Sequence, residues 1–271
     1  MNPSPEICNK LIDVNDLEKP GWRGIIDEMH ELMKVPERNR KSFCHCTDRR
    51  SLIHRAEIES YKHWEYPWTI VHGSFEPGMP VLDCGCGRGF LQIYLALKGC
   101  NVHSVDVSTM KTKDLRKFWN LVQKYKLPLK ENRESAIKNL AKRYNTSINF
   151  KVASISRLPY ENASFDRVYC ISALEHMNPG EDEEAVREMC RVLKPGGRLL
   201  ITVDFSPVSL PDRRSYNAND IVKMIKISGL ELSGKLDYAC ADWRSHLAEL
   251  EMHFLEKNAH VSSAAFVLLK R

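Results

Sequence analysis

The residues whose types and spacing carry the most chemistry are Asp83-Cys84-Gly85-Cys86-Gly87-Arg88-Gly89. They follow a short apolar run, Pro80–Cys84, and lead into a helical pattern. Glycines at a strand-to-helix turn take dihedrals that a Cβ forbids and let the backbone come close to a ligand. A carboxylate, Asp106, ends the next apolar run, 21 positions after Gly85. In a doubly wound sheet an acid at that place accepts hydrogen bonds from ribose hydroxyls, and ligands bind beyond the carboxyl ends of the strands. Loop and acid together form a nucleoside-binding layout. Candidates for moving a proton lie at other strand ends: Glu175 and His176 after a later strand, Asp204 at the end of another, and His72 ahead of the first. A reacting hydroxyl needs such a base; an amine can react without one.

The glycine spacing narrows the nucleoside. A dinucleotide fingerprint, G-x-G-x-x-G, would place its third glycine at position 90, where this chain has Phe90. Tyr94 and Lys98 have the Tyr-x-x-x-Lys spacing of short-chain dehydrogenases, but they lie in the helix right after the glycine loop, the wrong place for that role. The spacing here is G-x-G-x-G behind Asp83, and at this point the chain resembles the class I methyltransferase family. Three later stretches extend the resemblance in order: Leu158-Pro159-Tyr160 with Ser164-Phe165-Asp166, then Ser172-Ala173-Leu174-Glu175-His176, then Leu193-Lys194-Pro195-Gly196-Gly197. Together they cover residues 78–205, and residues 1–75 carry no part of the resemblance.

The resemblance implies S-adenosyl-L-methionine as cofactor, with the glycine loop wrapping its amino acid part. It assigns cofactor contacts to Asp83, Gly85, Gly87, Gly89, Asp106, Val107, Ser154, Ile155, Ile171 and Ser172. Ser154 stands where many relatives carry an Asp facing the adenine amine. Methyl transfer is an in-line displacement from an activated donor, so the protein must mainly align donor and acceptor and exclude water. His176 and Asp204 are the expected catalytic residues, and no metal is implied. Trp64, Tyr66 and Trp68 form an aromatic cluster that either makes a lid over the cofactor and its acceptor or packs the extension onto the sheet. Enzymes that methylate bases or glutamine often carry an Asn/Asp-Pro-Pro-aromatic motif after the fourth strand, where this chain has Ser172-Ala173-Leu174-Glu175. That points to a small-molecule acceptor and leaves the acceptor atom open. A methyltransferase acting on RNA or protein, and a non-catalytic S-adenosylmethionine-binding protein, are the alternatives.

The elements that must position these residues alternate. Strands are expected at Pro80–Cys84, Asn101–Asp106, Ile148–Val152, Phe165–Ser172, Arg198–Val203, Leu230–Tyr238 and Val261–Leu269. Helices are expected at Gly89–Lys98, Lys113–Tyr144 with a break at Pro128, Asp182–Leu193, and Ile221–Ser228 stopped by Gly229. Pro195 and Gly196 are read as the end and cap of the third of these helices. Such alternation gives an α/β fold with a mostly parallel sheet covered on both faces. The resemblance implies a doubly wound Rossmann-like sheet of seven strands with its last strand, Val261–Leu269, antiparallel. The domain spans residues 76–271. Residues 1–75, with Ile25, Met29 and Leu32 at helical spacing, read as an N-terminal helical cap.

The 271 residues suit one domain with an extension, and 43% hydrophobic with 28% charged residues is a globular composition. A net charge of +5 is too small for a dedicated nucleic-acid binder, and clusters such as Lys111–Lys117 and Arg38–Lys41 read as solvated faces. No apolar run is long enough to span a membrane, and MNPSPEICNK has no signal-like apolar core. Nine scattered cysteines read as reduced thiols, which favours a cytoplasmic location. Cys44-His45-Cys46 has no second Cys/His pair at zinc-site spacing.

Overall fold

The computed structural model describes residues 7–32, 61–87, 89–107, 133–211, 214–254 and 260–271. Its strands are β1 (Cys8–Lys10), β2 (Pro80–Cys84), β3 (Asn101–Asp106), β4 (Asn149–Val152), β5 (Phe165–Ile171), β6 (Leu193–Phe205), β7 (Glu231–Leu232), β8 (Lys235–Asp237) and β9 (Ser262–Leu269). Its helices are α1 (Pro20–Leu32), α2 (Lys62–Gly73), α3 (Leu91–Leu97), α4 (Arg133–Arg143), α5 (Glu181–Val192), α6 (Ala218–Ser228) and α7 (Trp243–Phe254). Seven strands form one sheet in the order β4-β3-β2-β5-β6-β9-β7. Strands β2 to β6 pair in parallel, and β9 enters antiparallel between β6 and β7.

Both faces of this sheet are covered, so its central strands are apolar at consecutive positions. Side chains alternate across a strand. Tyr169, Leu200 and Val267 face a cluster built from α1 to α4, including Trp22, Met29, Trp64, Trp68, Ile93 and Ile137. Their strand neighbours Val168, Ile201 and Phe266 face the opposite cluster, with Val186 and Met189 of α5 and Ile221 and Met224 of α6. Helix α2 lies on the first face. Twelve residues at about 1.5 Å each make it roughly 18 Å long, enough to run from one end of the strands to the other.

Four expectations change. First, α5 ends at Val192, and Lys194-Pro195-Gly196-Gly197 belong to β6 instead of capping the helix. Gly196 takes φ +76°, donates to the Lys270 carbonyl at 2.6 Å, and the Lys270 N–H returns to Gly197 at 3.1 Å. The Pro-Gly-Gly therefore lets the strand begin against the chain end. Second, the stretch expected as one strand over Leu230–Tyr238 is two, β7 and β8, broken at Gly234. Gly234 has φ +86°, and a Cβ there would meet the Ile7 carbonyl oxygen at 2.6 Å. Third, β8 leaves the main sheet to pair in parallel with β1, an N-terminal strand that helical periodicity does not reveal. Asn9 joins the pieces: its Oδ1 accepts from Val267 N at 2.8 Å and its Nδ2 donates to the Ser233 carbonyl at 2.8 Å. Fourth, α7 has no counterpart among the expected helices. Of the long helix expected over Lys113–Tyr144, Arg133–Arg143 is seen; the remainder, including Pro128, lies outside the described residues, as do Arg38–Lys41, Lys111–Lys117 and Cys44-His45-Cys46.

Candidate cofactor and acceptor site

The glycine loop sits at the carboxyl end of β2, near the middle of the sheet. Gly85 and Cys86 donate to the Val105 carbonyl at 2.9 and 3.2 Å, which turns the chain over the end of β3. Gly85 and Gly87 have φ of +73° and +53°, the left-handed region in which a side chain is strained. A Cβ on Gly85 would strike Ala173 Cβ at 2.6 Å, so the loop rests on the turn that follows β5. A Cβ on Gly87 would meet open space, and the backbone there is available to a ligand. Gly89 is backed by the Tyr66 hydroxyl, 2.6 Å from where its Cβ would be. Arg88 lies outside the described residues.

Two carboxylates frame the loop. Asp106 accepts from Gly87 N at 2.7 Å and Val107 N at 2.6 Å, so one acid fixes both the loop and the end of β3. Asp83 is buried and faces Tyr169 across the β2–β5 pair. Burial pushes its carboxyl up to about 8; the Tyr169 hydroxyl, close but without a well-aligned hydrogen bond, pulls it down, and the charge of Asp106 pushes it further up. Ser154 and Ile155 follow β4, whose end is joined to Asp106 through the Ala153 N–H at 3.0 Å. Ser154 Oγ lies 2.8 Å from Ser156 Oγ, and Ile155 is buried in the second cluster. The Leu158-Pro159-Tyr160 run is held by Glu188 and Arg191 of α5 through Leu158 N at 2.8 Å and the Tyr160 carbonyl at 2.8 Å.

Beyond β5 and β6 lies a second group of acids. Ser172 follows β5 with φ +46°, and its N–H is held by the Thr202 carbonyl at 3.0 Å. Its hydroxyl donates to Glu65 of α2 at 2.6 Å. The same Glu65 oxygen accepts from Thr202 at 2.8 Å and Ser263 at 2.7 Å, while Lys62 holds the other oxygen at 2.8 Å. Burial raises the Glu65 carboxyl, but the Lys62 charge and hydrogen bond and the Ser172 and Ser263 hydroxyls outweigh it and hold the acid below the usual range. Glu175, in the single 3-10 turn Leu174–His176, is 6% exposed, and neither of its carboxyl oxygens has a hydrogen-bond partner among the described residues. Burial, then the charge of Asp204, push it well above the carboxylate range. Asp204 is itself buried near the end of β6. Arg214 clamps the turn by donating to the Met177 carbonyl at 3.0 Å and pairing with Asp182.

The aromatic and histidine candidates separate. Trp64 and Trp68 are fully buried, with their indole N–H groups donating to Asp16 Oδ2 and the Cys8 carbonyl, both at 2.9 Å. They bind α2 to the N-terminal segment and to the sheet and have no face left for a lid. Tyr66 alone of the three reaches the glycine loop. His72 lies in the last turn of α2, where its carbonyl accepts from Arg198 near the start of the parallel β5–β6 pairing, at the far end of the sheet from the glycine loop. His176 is exposed, Val107 is 47% exposed, and Ile171 and Ser172 are half-buried. Glu65, 107 residues from Ser172, carries no sequence signal; only the fold brings them together.

Residues 82–201 match the family model described as a methyltransferase domain. This domain belongs to the class I S-adenosylmethionine-dependent methyltransferases. The methyltransferase domain is 37% identical over 103 residues to the ubiquinone/menaquinone biosynthesis C-methyltransferase of Laribacter hongkongensis, covering 38% of each chain. It is 30% identical over 125 residues to an O-methyltransferase of Pyrenophora dematioidea, 46% of this chain and 39% of that one. The matched part thus spans about two-fifths of these curated relatives' own length. Among solved structures, the 1,6-didemethyltoxoflavin-N1-methyltransferase of Burkholderia thailandensis matches with a TM-score of 0.53 at 17% identity, over 96% of this chain and 91% of that one. The [4+2]-cyclase SpnF matches with a TM-score of 0.55 at 20% identity, over 76% and 79%. At these identities both show the fold alone. No helix among the described residues is long and apolar enough to cross a membrane.

Proposed function

We propose that this protein transfers a methyl group from S-adenosyl-L-methionine to a small molecule. The observation that carries the reading is the pairing of the glycine loop with Asp106. Gly87 faces open space beside a carboxylate that already orients its N–H, which suits a cradle for a nucleoside and its amino acid tail. Bound S-adenosyl-L-methionine supplies a methyl activated on a sulfonium. Asp106 would accept from the ribose hydroxyls, with Val107 beside it, and Ser154 and Ile155 would flank the adenine. Asp83, Gly85, Gly87, Gly89, Ile171 and Ser172 would hold the amino acid end. Asp204, near the end of β6, and His176, in the turn after β5, would take a proton from an acceptor hydroxyl. Relatives named as C- and O-methyltransferases leave the acceptor atom open.

We read residues 1–75 as a segment that works with the domain of residues 76–271 and contributes acceptor contacts near Lys62 and Glu65. The alternative is a non-catalytic S-adenosylmethionine-binding protein, which would hold the nucleoside without transferring its methyl. Mass spectrometry of nucleosides that copurify with the protein, followed by transfer of labelled methyl from S-adenosyl-L-methionine into a metabolite extract, separates the readings. Label appearing in a small molecule supports methyl transfer. A bound nucleoside without any transfer supports the alternative, and no bound or binding nucleoside removes both.

A further inference from the structure

Most buried ionisable groups at the carboxyl end of the sheet have partners. Asp106 has two backbone N–H groups, and Glu65 has three hydroxyls and Lys62. Glu175 departs from this: its two oxygens are buried and unmatched among the described residues. An acid left in that state costs stability, because its lost hydration is not replaced. It is also not a packing accident in a loose loop, since Arg214 and Asp182 fix its turn and Ala173 presses on Gly85. Asp204 and Glu65 add negative charge around it, and Lys62, which reaches it electrostatically, is already bonded to Glu65. The place therefore combines exclusion of water with two carboxyl oxygens that have no hydrogen-bond partner among the described residues, on the turn that presses against Gly85.

We infer that Glu175 and Asp204 form a subsite for an organic cation. This rests on the proposed function only for the identity of the occupant. Two sources offer that chemistry at this place: the sulfonium of the methyl donor, and a protonated amine on the acceptor. Entry of the cation displaces the carboxylic proton of Glu175 to solvent and leaves a carboxylate against the positive charge, so charge is conserved. With the sulfonium as occupant, the subsite favours the charged donor over the neutral product and helps the product leave. With an ammonium as occupant, it selects amine acceptors.

The test measures binding, not turnover. Calorimetry compares S-adenosylmethionine with adenosylhomocysteine on wild type, Glu175→Gln and Asp204→Asn. Thermal melting of the adenosylhomocysteine-loaded protein with methylammonium chloride gives the acceptor arm. Trimethylsulfonium against the neutral thioether dimethyl sulfide gives a cofactor-independent arm on the wild-type protein. If the donor fills the subsite, Glu175→Gln weakens S-adenosylmethionine about tenfold or more relative to adenosylhomocysteine, the size of one lost charge-assisted bond. If an acceptor amine fills it, that ratio stays put and methylammonium stabilises the loaded wild type but not the variant. Equal binding of trimethylsulfonium and dimethyl sulfide by wild type, or no change of either arm in Glu175→Gln, overturns the subsite. A wild type that binds trimethylsulfonium but not adenosylhomocysteine would instead leave the subsite standing and remove the methyl-donor reading. Should Glu175→Gln fail to fold, Asp204→Asn and the wild-type arms still decide.

Discussion

The two ends of the parallel sheet, both touched by α2, are built on opposite principles. At the amino end, Arg167 and Arg198 lie side by side in register and cap the last carbonyls of the helix: Arg167 donates to Gly73, Ser74 and Asp166, and Arg198 to His72. Cations at a helix carboxyl terminus meet both its free carbonyls and the negative end of its dipole. At the carboxyl end the charges are acids, Asp83, Asp106, Glu65, Glu175 and Asp204, and two of them are held above the usual range by burial. One end is closed by hydrogen bonds within the protein. The other keeps Glu175 buried, with neither carboxyl oxygen hydrogen-bonded among the described residues. The first end serves the fold alone and the second serves binding as well, and Glu65 carries part of both because it ties α2 to β6, β9 and the turn after β5.

The largest effect on stability is expected at Glu65. Glu65→Ala strands the Lys62 charge and three buried hydroxyls, so it should cost about 3–5 kcal/mol and also weaken adenosylhomocysteine by freeing Ser172. Chemical denaturation measures the first and calorimetry the second; a loss below about 1 kcal/mol would mean the network is dispensable. Arg167→Ala at the closed end removes the donors from three carbonyls. It should cost about 1–3 kcal/mol in the same denaturation experiment and leave adenosylhomocysteine binding unchanged. If binding falls with it, the two ends are not independent.

A third effect is a pH dependence at Asp83. Its folded value is raised from 3.8 to about 8, so between those pH values the folded protein holds a proton that the unfolded chain releases. Stability from this group therefore falls as pH rises from about 4 to about 8. Asp83→Asn removes that slope, and its melting temperature should exceed that of wild type by more at pH 8 than at pH 5. Equal differences at the two pH values would show that Asp83 ionises normally. His72 shifts the opposite way: burial first, aided by Arg198, holds it at about 4, so it adds stability above pH 6.5 that is lost as pH falls toward 4. His72→Gln should flatten the acid limb of a melting curve between those values, and an unaltered limb would exclude His72 as its source.

What could be read beforehand divides along sequence distance. The glycine loop, Asp106 and the strand pattern are local signals, because a turn, a strand end and an apolar run each occupy a few neighbouring residues. Glu65 with Ser172, Thr202 and Ser263 spans 107, 137 and 198 positions, and no local pattern encodes it. The arginine pair under α2 is hidden for the same reason. The tryptophans are visible as residues, but their spacing leaves lid and packing both open, since an exposed and a buried aromatic cluster have the same spacing. Pro195-Gly196-Gly197 shows the reverse: a strong local cap signal is overridden by hydrogen bonds to Lys270, 74 residues after Gly196.

The central claim is that the carboxyl end of the sheet binds an adenosyl cofactor through Asp106. Calorimetric titration of adenosylhomocysteine into wild type and Asp106→Ala, with melting curves of both, tests it directly. The account predicts one site in wild type and a loss of about 2–4 kcal/mol, roughly 30- to 1000-fold, in the variant. The variant should melt lower, because the Gly87 and Val107 N–H groups lose their acceptor, but stay folded at the titration temperature. Wild type without a binding isotherm, or a variant within about threefold of it (~0.7 kcal/mol), would contradict the account.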